Sequence, residues 1–208
     1  VTSTHTTRPA APTRSRFRWR TVDLITTAMI GVAFGVIFIG WGQVYNLVDP
    51  LTKALPPVSG LLGGFWWLPA VVAALVTRRP GAALLAEVVA ASVEPLLGGQ
   101  WGLLTLGSGL IQGLGVELGF LIFAYRRWGW LPAALGGLLA GLLETPFEWA
   151  TYYPSWSAGW AGLYAITMGL SGMVLGGLLG WVLTRALAGT GALAPFPVGR
   201  ERAEARRL

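Results

Sequence analysis

Residues 22–45 read VDLITTAMIGVAFGVIFIGWGQVY. Asp23 is the one charge, at the very start, and the rest is almost wholly apolar. A membrane-spanning helix needs ~20 mostly apolar residues, and this run supplies them. It is too long for the ~7–15-residue apolar core of a secretory signal. The stretch before it, VTSTHTTRPAAPTRSRFRWR (1–20), mixes Thr, Ser, Pro and Arg. That composition cannot bury a core, so we expect a disordered basic tail leading into a retained spanning helix.

Composition extends the same reading to the whole chain. The 208 residues are 54% hydrophobic and only 12% charged, where a soluble domain carries about 25% charge. The 11 tryptophans and 30 glycines fit a membrane protein, because Trp collects at membrane interfaces and Gly is common in spanning helices. Five further apolar runs follow, near 57–77, 80–97, 103–125, 131–148 and 160–184. Turn chemistry separates them: DPLTKALPP (49–57), RRPG (78–81), GGQWG (98–102), RRWGWLP (126–132) and YYPSWSAGW (152–160). Six spans put every Lys and Arg of the 15 on one side except Lys53. The positive-inside rule makes that side the cytoplasm. The expected fold is therefore an all-α integral membrane protein, a bundle of six transmembrane helices with both termini cytoplasmic. Residues 21–185 form its membrane domain, and 186–208 form a basic C-terminal tail. The same rule accounts for the net charge of +6, so no nucleic-acid partner is expected.

Several chemistries are excluded. There is no cysteine, and the sole histidine is His5, in the basic tail. This removes a Ser–His hydrolytic pair, a thiol nucleophile and any His- or Cys-based metal site. No G-x-x-x-x-G-K-[ST] occurs, so the chain does not bind ATP through a P-loop. No enzyme activity, cofactor or metal is expected.

The informative residues are acidic. LLAEVVAASVEPLLGG (84–99) places Glu87 and Glu94 in an otherwise uncharged run, and Glu117, Glu144 and Glu148 also fall within spans. An ionised side chain at mid-membrane costs roughly 2.5–3.5 kcal/mol on insertion scales, so such groups face a cavity, a partner or a proton. No Lys or Arg lies within the spans to neutralise them. Glu87 and Glu94 share a face at i, i+7. On the expected topology Glu94, Glu144 and Glu148 lie in the outer half, Gln112 lies near the middle, and Glu117 is deeper. Aromatic residues sit at the outer level, including Trp66, Trp67 and Tyr152, with Trp101 and Trp149 read as interface anchors. An acidic, aromatic chamber open to the outside suits a flat, nitrogen-rich cation or hydrogen-bond donor. The candidate ligand-binding residues are Glu87, Glu94, Gln112, Glu117, Glu144, Trp66, Trp67 and Tyr152. On helix 1, Ala28, Gly31 and Gly35 form a small-residue face that either packs within the bundle or docks a partner membrane protein.

RRPGAALLAEVVAASVEPLLGG (78–99), GLIQGLGVELGF (109–120) and GTGAL (189–193) together resemble the YkoE-type substrate-binding component of energy-coupling factor transporters. The resemblance covers most of the chain. It implies a small six-helix protein of the bacterial plasma membrane that captures a vitamin or precursor, here thiamine or hydroxymethylpyrimidine. It further implies association with a transmembrane coupling protein and two cytoplasmic ATPases. The matching positions are Glu87, Glu94, Gln112 and Glu117, and the nearest counterpart of a helix-1 docking face is Gly31-x-x-x-Gly35 with Ala28 one turn earlier. The alternative from the residues alone is a proton- or cation-coupled carrier that uses the same glutamates as a relay.

Overall fold

A computed structural model describes residues 17–205. The N-terminal tail expected over 1–20 lies largely outside these residues, as do the last three of the C-terminal segment. Among the described residues the protein is helical throughout, with no strand.

The first helix, α1 (Thr21–Thr52), is 32 residues long, about 48 Å at 1.5 Å per residue. It outruns the apolar stretch because Gln43, Asn46 and Asp49 are polar without being helix breakers. Asp23 is fully buried at its start. Its carboxylate accepts from the Arg20 amide at 3.1 Å and from Arg79 Nε at 3.0 Å. The one charge at the start of the first apolar run is thus paired, and α1 is tied to the turn beyond α2.

The second run is two structures in line. Pro56–Trp67 is a 3-10 helix of 12 residues, followed by α2 (Leu68–Thr77). Long 3-10 stretches are uncommon because their hydrogen bonds are poorly aligned. Here side chains of a later helix, α6 (Ala158–Ser171), supply the missing bonds. Thr167 Oγ1 donates to the Pro57 carbonyl at 2.6 Å. Ser171 Oγ donates to the Leu61 carbonyl at 2.6 Å and accepts from the Gly64 amide at 2.9 Å. Every residue of α2 is buried, as suits a helix apolar on all sides. It is the centre of the bundle.

Around it stand α3 (Ala82–Leu96), α4 (Leu104–Leu121) and α5 (Trp130–Thr151), and α6 continues through a π-helical turn (Gly172–Leu178) into α7 (Leu179–Thr190). The neighbours run α1–α3–α4–α5, and α5 closes against α6 and the π turn. The π turn makes room for Trp67, because a Cβ on Gly176 would come within 2.3 Å of that indole. Gly31 and Gly35 of α1 lie against α3, where added Cβ atoms would approach Ala86 O to 2.5 Å and Val93 Cβ to 2.6 Å.

Four helices, 21–52, 56–77, 104–121 and 158–190, are long and apolar enough to cross a membrane. α3 is shorter, and α5 carries Glu144 and Glu148. The outward faces of α1, α4 and α6 carry exposed Met29, Leu47, Leu114 and Ile166, which suit contact with lipid.

After Thr190 the chain turns at Gly191 and forms a short helix, α8 (Pro197–Ala205). Leu193 and Phe196 insert beside Val72, Val76 and Ala188. Arg78 closes α2 in the left-handed region at φ 54°, and its guanidinium holds Glu201 of α8 through two hydrogen bonds, one of 2.6 Å. Those bonds outweigh partial desolvation and keep the Glu201 carboxyl below its ordinary 4.5. A carboxyl depressed in the folded state stabilises it above the ordinary value, and that contribution disappears as pH falls through the folded-state value. The α8 contact is expected to hold at neutral pH and loosen only below about pH 4.5. The pair is partly exposed, so the effect is about 1 kcal/mol at most. Hydrogen exchange of the α8 amides at pH 3.5 and pH 7 tests this, and Glu201→Gln should erase the difference.

Candidate functional site

α3 presents Glu87 and Glu94 two turns apart on one face, 1% and 2% exposed. α4 faces them with Thr105, Ser108 and Gln112, spaced by one turn each. α5 contributes Glu148, α6 contributes Tyr164 and Met168, and the 3-10 helix contributes Ser59, Trp66 and Trp67. These elements, with Phe38 and Tyr45 of α1, enclose a cavity of about 630 Å³ counting its open mouth. The unevenly wound 3-10 backbone sits where it lines a cavity, which is where a membrane protein tolerates it.

The charged groups of the cavity lining are all acidic, set among hydroxyl, amide and indole groups, of which the Trp67 indole N–H is buried without a partner. Glu87 Oε2 accepts from the Ala70 amide at 3.3 Å, while its Oε1 is buried with no hydrogen bond. Glu94 lies close to the Trp66 indole, yet its Oε1 is likewise unpartnered. Glu148 accepts from the Tyr164 hydroxyl. Glu144 is 0% exposed and stands behind the lining. Ser108 and Gln112 are near enough to act on it, but neither completes a well-formed hydrogen bond. Glu94 and Glu144 both lie within electrostatic range of Glu87. Among the described residues no Lys, Arg or His lines the cavity. Leaving the Glu87 and Glu94 oxygens buried without a hydrogen bond is costly, so the chamber favours a ligand that brings N–H groups or positive charge to them.

The aromatic side chains give the cavity its shape. Trp66 meets Trp101 edge-on at 5.0 Å, Tyr45 at 5.9 Å and Phe38 at 6.5 Å. Trp101 comes from the α3–α4 loop, where Gly98 (φ 85°) and Gly102 (φ 60°) hold left-handed conformations that a side chain would strain. These turns bring its ring into the cavity lining, within 3.4 Å of a Cβ built on Gly42. On the far wall the Tyr45 and Tyr153 hydroxyls are 3.2 Å apart, and Tyr153 stacks on Trp156 at 4.0 Å. Ring faces of this kind hold flat heterocycles and cations.

The whole architecture recurs in a solved structure, "Crystal structure of an S-component of ECF transporter". The match has a TM-score of 0.85 and 28% sequence identity, and it covers 91% of this chain and 96% of that one. The chain is also 30% identical over 195 residues to the Bacillus subtilis (strain 168) "Putative HMP/thiamine permease protein YkoE", covering 91% of this chain and 94% of that protein. The chain belongs to the YkoE-type S-components of energy-coupling factor transporters. Residues 22–143 also match the family model described as "ABC-type cobalt transport system, permease component". An S-component is a transport protein and not an enzyme, and it is integral to the bacterial plasma membrane.

Six of the eight residues singled out from the sequence of this S-component line the cavity: Glu87, Glu94, Gln112, Trp66, Trp67 and Tyr152. Glu144 is one layer behind. Glu117 is not brought there. Its carboxylate accepts from the Gly81 and Ala83 amides, at 2.5 and 3.1 Å, and from the Tyr125 hydroxyl at 2.8 Å. It caps the start of α3, and its bonds are made there, so a fixing role replaces the expected binding role. Of the two readings of the helix-1 small-residue face, packing within the bundle is the one seen for Gly31 and Gly35, both buried against α3, while Ala28 beside them is half-buried.

Tyr45, Ser108 and Tyr164 line the cavity without having been singled out, and so does Glu148, which was noted among the acids of the spans but not among the binding candidates. Two carried a local signal. Ser108 is one turn before Gln112, and Glu148 is one turn after Glu144. Tyr45 and Tyr164 carried none, since each is placed by contacts over long sequence separations. Trp101, read from the sequence as an interface anchor, also lines the cavity.

Proposed function

We propose that this S-component captures thiamine or its hydroxymethylpyrimidine precursor in the acidic, aromatic cavity and delivers it to a transmembrane coupling protein driven by two cytoplasmic ATPases. The chain then crosses the membrane six times with α3 and α5 included, both termini are cytoplasmic, and the cavity opens outward. Residues 21–185 are the membrane domain between two basic tails. The single observation that carries the ligand class is the pair of lining carboxylates, Glu87 and Glu94, each with a buried oxygen left without a hydrogen bond and no basic side chain beside it, beneath a wall of rings. An aminopyrimidine offers N–H donors and a flat face, and thiamine adds a positive charge. The name of the Bacillus subtilis relative supports the same class. Among the described residues no three His, Cys, Asp or Glu side chains come together to hold a metal ion, which favours an organic cargo over cobalt.

Calorimetry on the purified chain in detergent tests the proposal. Thiamine or hydroxymethylpyrimidine is expected to bind without ATP and to displace the other. No heat and no competition with either would refute it. Uptake by vesicles containing the chain alone, lost on collapse of an ion gradient, would instead assign it to the coupled carriers.

A further inference from the structure

At the end of α2 opposite the cavity, a second cleft lies between α2, α7 and α8. It encloses about 700 Å³ counting its opening. Arg78, Arg185 and Arg202 line it, against one acidic residue, Glu201. Trp128 and Trp181 form apolar walls. Glu201 is taken up by Arg78, and among the described residues no carboxylate forms an ion pair with Arg185 or Arg202. The Arg185 guanidinium sits over the Trp181 ring, 5.0 Å from its centroid. An arginine carried on an indole keeps its planar fork of N–H donors for an acceptor such as phosphate.

We propose that this cleft holds the phosphate headgroup of an anionic membrane lipid. The surroundings favour a lipid over free phosphate. Arg185 lies one turn from Val182 on α7, and Val182 and Leu187 are exposed apolar residues of that helix, so the arginine stands beside a surface suited to acyl chains. Basic pockets between helix ends recognise acidic lipid headgroups in this way, and Trp is the residue that settles at headgroup depth. The site is independent of the cargo cavity.

Native mass spectrometry of the full chain, released from nanodiscs containing equal phosphatidylglycerol and phosphatidylcholine, tests the assignment. The chain is expected to retain phosphatidylglycerol preferentially, and Arg185→Gln with Arg202→Gln should lower that retention about fivefold or more. Arg202→Glu alone, on the exposed α8 surface, should lower it as well, which keeps the test sound if the double variant folds poorly. Arg127→Gln, outside the cleft lining, should leave retention unchanged. Equal retention of the two lipids, or variants that retain phosphatidylglycerol as well as the parent chain, would overturn the proposal. So would displacement by millimolar inorganic phosphate with no preference between lipids, which would assign the cleft to a free anion.

Discussion

Glu94→Ala is expected to weaken ligand binding about tenfold to a hundredfold while leaving the bundle folded. Glu94 is 2% exposed, lines the cavity and keeps one oxygen without a hydrogen bond. Hydrogen bonds to charged groups contribute about 1.5–3 kcal/mol, and each 1.4 kcal/mol is a factor of ten in affinity. The side chain lies in the last turn of α3 beside Pro95, where α3 gives way to the glycine loop. Removing it therefore leaves α3 packed on α1 and α4. Glu94→Gln separates charge from geometry. A neutral hydroxymethylpyrimidine should lose less affinity to the glutamine variant than cationic thiamine does. Glu117→Gln gives the contrast, since that carboxylate caps α3 away from the cavity. It should lower the unfolding temperature with little change in ligand affinity for the protein that remains folded. Calorimetric titration of both ligands against all three variants reads these differences. Unchanged binding by Glu94→Ala would remove the acidic cavity from the account of capture.

The helices were largely legible because each apolar run ends in local chemistry. α3, α4 and α5 fall within a few residues of the expected bounds, between RRPG, GGQWG and YYPSW. The second run did not announce its 3-10 winding. That winding depends on hydroxyls of Thr167 and Ser171, more than a hundred residues away in sequence. The carboxylates were legible as a class, because an unpaired acid in an apolar run needs a special setting. Their sorting was legible only in part. The depth along the helix already set Glu117 below Gln112, yet what it touches is fixed by the neighbouring turn, which spacing does not reveal. Glycine spacing is two-valued in the same way. Gly31-x-x-x-Gly35 permits close approach by any helix, and which helix arrives is decided by the packing of α1 on α3.

Gly64→Ala should be among the most damaging single-methyl changes in the chain. A Cβ there would lie 2.2 Å from the Ser171 carbonyl oxygen and 2.4 Å from its carbon. Both are backbone atoms of α6 and cannot rotate aside. Relief requires the 3-10 helix and α6 to separate, which breaks the paired Ser171 bonds to the Gly64 amide and the Leu61 carbonyl. Overpacking costs about 1–3 kcal/mol, and each lost hydrogen bond adds about 1 kcal/mol. A total of about 3–5 kcal/mol is a large part of the stability of a small domain. Gly162→Ala on α6 is the matched control. Nothing lies within 4 Å of its added Cβ, and replacing a helical glycine there should stabilise by about 0.5–1 kcal/mol. Thermal unfolding followed by circular dichroism compares the two. Because Trp66 and Trp67 ride on the strained segment, Gly64→Ala should also lose ligand binding in any fraction that stays folded, whereas Gly162→Ala keeps it. Equal melting temperatures for the two variants would mean that the 3-10 helix is not held by α6, and that the cavity wall it builds is set by other contacts.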